Sequence, residues 1–185
     1  MGTKFQSIIT EFDNNFNRKI LGQTFSDESI VTKNLFCTSI INTEFVNCEF
    51  QNVDFTGSYL KTCIFKNCSF TKTIFHKCEF WDCTFQKCQI TQCQLTKADF
   101  YTNIFEHCYL QKIDSSWSYF DTCNFYETKI SDIDFTGAII NNLRSEDTTF
   151  SNLIVSENFP LKFLKLGKLT EVTDFCSLKK LINLD

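Results

Sequence analysis

Cysteine spacing is the most regular chemistry in this sequence. Cys78, Cys83, Cys88 and Cys93 form a C-x4-C-x4-C-x4-C run, and Cys48, Cys63, Cys68, Cys108 and Cys123 fall on the same five-residue grid. Four thiolates meeting at one point would have the ligand set of a zinc or iron–sulfur site. Zinc sites, however, usually include tight C-x2-C pairs, and Phe80, Phe85, Ile90 and Leu95 compete for the same interior. Packing of small, apolar thiols is the plainer reading, and no cofactor is expected. A disulfide framework would need pairing spacings rather than a period, and stacked thiols such as Cys68 and Cys88 point the same way.

The other reactive groups are sparse or scattered. His76 and His107 are the only histidines, both at outward positions of the grid, and no Ser-His-Asp or Cys-His constellation can be assembled from them. Acids are plentiful but uneven. Residues 56–100 hold six Lys against Glu79, Asp82 and Asp99, a net of +3, whereas residues 101–150 hold eight acids against Lys112, Lys129 and Arg144, a net of −5. The whole chain carries −4, so direct binding of nucleic acid is not expected.

What must position these residues is a period of five. Positions divisible by five from Phe25 to Val155 give 27 residues without an insertion or deletion, of which 25 are apolar. The exceptions are Ser115 and Ser145. Two residues earlier runs a small or sulfur-bearing series: Cys48, Ser58, Cys63, Cys68, Thr73, Cys78, through Ala98, Ser118 and Cys123. Five matches neither the helical period of 3.6 nor the strand period of 2.0, so the stretch is a repeat architecture.

Pentads such as Cys48-Glu49-Phe50-Gln51-Asn52, Cys68-Ser69-Phe70-Thr71-Lys72 and Ala98-Asp99-Phe100-Tyr101-Thr102 resemble the pentapeptide-repeat family. The resemblance covers about 130 of 185 residues. It implies an all-β fold, a right-handed quadrilateral parallel β-helix with four pentads per coil and about six to seven coils. Residues 20 apart would then stack, and the columns are coherent: Phe45, Phe65, Phe85, Phe105 and Phe125 in one, Cys48, Cys68, Cys88 and Cys108 in another. Both Ser centres are preceded by a bulky residue in the small series, Ile113 and Leu143, a swap that would keep the core filled. Gly57 and Gly137, in the near-identical pentads Asp54–Ser58 and Asp134–Ala138, are expected to mark turn corners with positive φ.

Three segments follow. Residues 1–24 are a lead-in or cap, either a short amphipathic helix carrying Phe5, Ile8, Ile9, Phe12 and Phe16 or an irregular stretch opening the first edge. Residues 25–155 are the solenoid. Residues 156–185 break the period after Pro160, and a helix begun at Thr173 or Asp174 and running to about Leu181 is expected as a C-terminal helical cap. The ending 177–185 resembles the C-terminal element of pentapeptide proteins that protect type II topoisomerases. That resemblance implies a homodimer built through Phe163, Leu164, Leu166, Phe175, Leu178, Leu181 and Ile182.

A convex rod without loop insertions offers no pocket, so an enzyme is not expected. Two kinds of surface remain. Glu106, Asp114, Asp121, Glu127, Asp132, Asp134, Glu146 and Asp147 could form an acidic face imitating the charge of a DNA duplex, or merely a solubilising one. Trp81, Tyr101 and Trp117 could form an aromatic contact site for a protein partner, or a coil-stabilising ladder. The subgroup resemblance implies a DNA-mimicking partner of DNA gyrase that relieves quinolone or toxin poisoning. The alternative is an interaction scaffold, for instance an effector or assembly module. No apolar run reaches membrane-span length and Met1–Ile20 lacks an apolar run of signal-peptide type, so no membrane association and a cytoplasmic setting are expected.

Overall fold

The structure, a computed structural model, describes residues 4–10, 18–165 and 168–174. Its centre is a parallel β-solenoid of about seven four-sided coils, twenty residues to the coil. The first side stacks three-residue strands from Lys19–Leu21 through Ser39–Ile41 to Ile139–Asn141; the second runs from Thr24–Ser26 to Arg144–Glu146, and the third from Ser29–Val31 to Thr149–Ser151. The fourth side is held by single bridges such as Asn34↔Asp54, Ile74↔Gln94 and Gln94↔Asp114. Every ladder within the coils is parallel and advances by twenty residues, as in Phe25↔Phe45, Phe80↔Phe100 and Ile130↔Phe150.

A strand of three residues needs a turn after it, and the turn is made by one left-handed residue. Every fifth position from 22 to 152 has φ between 46° and 66°. Gly57 and Gly137 are among them, as expected, but 24 of these corners carry side chains, including Lys72, Lys77, Lys87 and Trp117. For L-residues that conformation costs roughly 1–2 kcal/mol. Below the last coil a corner N–H is bonded to a carbonyl nineteen residues on: Asp27 N to Val46 O at 3.0 Å, Asn67 N to Gln86 O at 2.9 Å, His107 N to Tyr126 O at 2.9 Å. Where Asn or Asp takes the corner, side chains add a second ladder, as from Asn47 Nδ2 to Asp27 Oδ1 at 3.0 Å.

The residue at the middle of each coil strand is buried and its neighbours are more exposed, except in the last coil, where Ser145 and Phe150 are half-buried. Inside, phenyl rings stack along the axis: Phe45 on Phe65 at 5.1 Å, Phe85 on Phe105 at 4.8 Å, Phe80 on Phe100 and Phe100 on Phe120 at 4.7 Å. The small series does more than fill space. Its side chains donate to the carbonyl of the central residue twenty-three positions earlier: Ser58 Oγ to Leu35 O at 2.8 Å, Cys63 Sγ to Ile40 O at 3.2 Å, Cys108 Sγ to Phe85 O at 3.2 Å. Asn103 works both ways, donating to Phe80 O at 3.0 Å and accepting from Cys83 N at 2.9 Å. Ser115 and Ile113 are both buried, so the exchange of volume holds there; Leu143 and Ser145 in the last coil are only half-buried.

The two ends are closed differently. Helix α1, Lys4–Thr10, seats Phe5 and Ile9 on the first coil, Phe5 edge-on to Phe25 at 5.0 Å. The small series of that coil is Arg18, Gln23, Glu28 and Lys33, because no coil lies below to receive its donors. Glu28 accepts the Phe5 N–H at 3.3 Å, and Arg18 reaches the carbonyls of Asn34 and Phe36 at 3.4 and 3.3 Å. At the other end the expectation changes. Leu161–Lys165 and Lys168–Val172 form an antiparallel hairpin, whose first strand pairs in parallel with Ile139–Asn141. Leu161 and Val172 face each other fully buried while Lys162 and Glu171 are exposed, a strand alternation; the free edge of the first side takes Lys162 N on Ala138 O at 2.9 Å. The helix expected to about Leu181 lies outside the described residues. No helix among the described residues is long and apolar enough to cross a membrane.

The buried thiols set an alkaline limit on the fold. Burial pushes Cys78 up from 9.0 to about 12, Cys93 to about 11 and Cys123 to about 12. Unfolded, these thiols lose their protons near pH 9; folded, they keep them until pH 11–12. In that window the unfolded chain binds fewer protons, so stability falls as pH rises, by about 1.4 kcal/mol per pH unit per thiol. Urea midpoints are expected to drop steeply between about pH 9 and 11, and the triple variant Cys78→Ser, Cys93→Ser, Cys123→Ser should flatten the drop. Equal slopes in both proteins would contradict this account.

Candidate partner-binding faces

A rigid four-sided coil sorts outward residues into columns about 4.8 Å apart from coil to coil. The eight acids expected on one face are divided among the sides. Glu106, Glu127, Glu146 and Asp147 belong to the second side and its corner, Asp121 to the first, Asp114 and Asp134 to the fourth, and Asp132 to the corner between third and fourth.

On the fourth side the acids build the backbone. Asp134 Oδ1 accepts Thr136 N at 2.8 Å, as Asp54 Oδ1 accepts Thr56 N at 2.8 Å and Asn34 Oδ1 accepts Phe36 N at 3.1 Å. Asp114 accepts Ser116 N at 3.0 Å and Thr96 Oγ1 at 3.1 Å. These side-chain turns reinforce the fourth side, which is held by single bridges apart from the short ladder Ile113–Asp114 on Ile133–Asp134. Asp132 accepts Asn152 Nδ2 and Gln111 Nε2, both at 3.1 Å, and these bonds hold its carboxyl below the usual range.

The first and second sides adjoin, and there the charge accumulates. From the fourth coil upward they carry Glu79, Asp82, Asp99 and Asp121 on one, Glu106, Glu127, Glu146 and Asp147 on the other, against Lys87 and Arg144. Three of these, Glu79, Asp82 and Asp99, were missing from the sequence expectation, although Glu79 and Asp99 are twenty apart and pair in register. Burial and the neighbouring Glu79 push Asp99 up. Among the described residues none of the eight lies within ion-pair distance of a Lys or Arg; the one such pair is Lys66 with Glu44 at 2.8 Å, two coils lower. His107 stands between Glu127 and Glu106, at 3.3 and 3.8 Å.

The aromatic residues separate as well. Trp81 and Tyr101 stack at 4.0 Å and 19° on the first side, Tyr119 meets Tyr101 edge-on at 5.6 Å, and the Trp81 indole donates to Glu79 at 3.2 Å. Lys61 lies one coil below Trp81 and Asp121 one coil above Tyr101. Trp117 is not part of this ladder. It occupies the corner between fourth and first sides, half-exposed, against Phe159 at 5.0 Å.

The four-cysteine run does not converge. Cys78, Cys83, Cys88 and Cys93 are aimed at four separate carbonyls, those of Phe55, Leu60, Phe65 and Phe70. Among the described residues no three ligating side chains come together.

With the coil geometry in view, comparison with known families is informative. The family model described as pentapeptide repeat region matches residues 58–135. That stretch is a pentapeptide repeat. Its coils continue with unchanged register below residue 58 and above residue 135. The chain is similar to a solved structure of QnrB1, a plasmid-mediated fluoroquinolone resistance protein, at 14% identity and TM-score 0.39 over 76% of this chain and 93% of that one. It is similar to HetL, involved in heterocyst differentiation regulation in Nostoc sp. strain PCC 7120, at 8% identity and TM-score 0.31, over 83% and 92%. Rfr23 of Cyanothece 51142 follows at 11% and 0.26, over 86% and 98%. No curated protein matches the sequence.

Of the residues expected to make a dimer contact, Phe163 and Leu164 lie in the hairpin strand, paired with Ile140 and Asn141. Leu166, Phe175, Leu178, Leu181 and Ile182 are outside the described residues.

The two kinds of acid are separable by stability. Asp114→Ala and Asp134→Ala remove turn acceptors and are expected to lower the urea-unfolding free energy by about 1 kcal/mol each. Glu127→Gln and Glu146→Gln should change it by less than about 0.5 kcal/mol. Equal effects from the two pairs would show that the fourth-side carboxylates do not hold the turns.

Proposed function

We propose that this pentapeptide repeat is a non-catalytic binding rod whose acidic first and second sides enter the basic DNA-binding groove of another protein in place of DNA. Type II topoisomerases, DNA gyrase in particular, are the candidate partners that the sequence resemblance names. Protection from quinolones or from a topoisomerase-poisoning toxin is the expected consequence.

One observation carries this reading: eight carboxylates on two adjoining sides against Lys87 and Arg144, none of the eight within ion-pair distance of a Lys or Arg among the described residues. Net of those two cations, six charges over four coils at a rise of about 4.8 Å is roughly one negative charge per 3.2 Å of rod. A duplex carries one per roughly 1.7 Å. The densities are comparable, and the carboxylates sit on a scaffold that needs no ordering when it binds.

The Trp81–Tyr101 ladder in the middle of the acidic first side favours a second reading. In it the same surface is an aromatic-centred scaffold contact and the charge mainly steers approach.

Gyrase supercoiling with purified protein, with and without a quinolone, tests both. A DNA mimic should inhibit supercoiling or rescue it from the drug, with affinity falling steeply as salt rises. Glu127→Lys with Glu146→Lys should weaken the effect at least about tenfold, while Thr71→Lys with Thr91→Lys on the third side adds lysines and leaves it in place. Loss of binding in Trp81→Ala with little salt dependence would favour the scaffold. No effect at micromolar protein would exclude gyrase as the partner.

A further inference from the structure

Where the regular coils end, the surface stops being convex. The segment after the last coil crosses the corner between the fourth and first sides before entering the hairpin, and it encloses a cleft of about 420 Å³. The crossing is fixed by the backbone: Gly137 N donates to Phe159 O at 2.8 Å and Lys162 N to Ala138 O at 2.9 Å. Trp117, Tyr119 and Phe159 supply the aromatic lining, Pro160 and Ile139 further apolar surface, and Lys162 and Glu171 the charged wall.

Trp117 is placed by an unusual requirement. A Cβ on Gly137 would lie 2.8 Å from its indole ring, so only glycine at that corner lets the ring lie against the backbone. Trp117 is itself a left-handed corner, its N–H bonded to Thr136 O at 2.9 Å, so the chain that carries the ring is as rigid as the rest of the coil. Trp117 and Tyr119, which line the cleft, carry an indole N–H and a hydroxyl with no hydrogen-bond partner among the described residues.

The shape and chemistry select a class of ligand. Trp117 and Phe159 are 48% and 50% exposed, so the cleft cannot enclose a small molecule as ligand pockets do, and its occupant continues past both rims. An extended chain fits. Aromatic ridges with free N–H and O–H donors suit a polyproline II segment, which presents bare carbonyls, lacks amide protons at its prolines and loses little entropy on binding. Beyond the Tyr119 rim the first side turns acidic, with Asp99 one coil below Tyr119 and Asp121 two residues along. A basic residue next to the prolines would meet those carboxylates.

We infer that the Trp117–Phe159 cleft binds a proline-rich extended segment of a partner protein, with a basic residue directed toward Asp99 and Asp121. The cleft adjoins the acidic first side and shares Asp99 and Asp121 with it, while its aromatic lining, Trp117 and Phe159, lies outside the acidic columns.

The test uses the full chain with Trp81→Phe, which leaves Trp117 as the one indole. The probe is a synthetic decapeptide of Pro-x-x-Pro repeats ending in Arg, titrated by Trp fluorescence and calorimetry. Saturable binding is expected, at least about tenfold weaker for Phe159→Ala and for a peptide with Gly in place of each Pro. Phe159 lies outside the coils, so its variant should keep the parent melting temperature, which circular dichroism checks. Gly137→Ala should displace the ring and weaken binding to a similar degree. Absence of saturation up to about 1 mM, or binding indifferent to Phe159→Ala, would overturn the inference. Binding of free indole or benzoate but not of the peptide would overturn it in favour of a small-ligand cleft.

Discussion

Each corner of this rod turns on a left-handed residue, and wherever a coil lies above, that residue gives its N–H to it; the rest of the structure depends on that bond. A strand of three residues has too few ladder bonds to be stable alone. The corner supplies one more and redirects the chain by a quarter turn, so that four short strands close a coil and each coil becomes the template for the next. The conformational cost recurs at 24 side-chain-bearing corners. It is offset because every corner bond lies between two rigid neighbours, and because the turn is what brings the phenyl columns into stacking distance. One inserted residue would break register in every later coil and send its buried centres outward. That explains why 27 centres run without a slip.

The same repetition explains the cysteines. A position whose side chain must be small, buried and able to reach a carbonyl has few solutions, and Ser, Thr, Cys and Asn all appear there as donors. Thiols are weak donors but apolar, so they fit a phenyl-lined interior with little desolvation penalty. The first coil shows the rule by its exception. With no carbonyl below, its small series is charged, and Glu28 and Arg18 serve the cap and the open edge instead. Charge on an inward series is how an edge strand avoids pairing with another molecule.

Columns were legible in the sequence because a period of five fixes which residues stack, and the Phe45, Phe50 and Cys48 columns all lie where that period puts them. The Gly57 and Gly137 corners were legible for the same reason. Corners held by Lys, Trp or Thr were not, since nothing in those residue types signals positive φ. Grouping acids by their nearness along residues 101–150 also failed, because neighbours in sequence leave on different sides of a coil. Grouping them by residue number modulo twenty would have joined Glu79 and Asp99 to Asp121 and set Asp114 and Asp134 apart as turn formers. The hairpin was hidden for another reason: the expected helix begins beyond it, at Thr173 or Asp174, and nothing local in 161–172 announces pairing that depends on the unpaired edge at Ile139–Asn141.

Regularity and irregularity therefore divide the surface between them. Within the coils a side chain extends a column, which suits charge repeated at a fixed rise and a stacked pair such as Trp81 and Tyr101. The cleft at Trp117 instead uses chain that leaves the lattice, which after Leu153 crosses over that ring. Gly137 is where the two regimes meet. As a corner it does what residues at 24 other corners manage with a side chain, so its conformation alone does not require glycine. The Trp117 ring pressed against it does, and that distinguishes a corner that merely turns the rod from one that also builds a site.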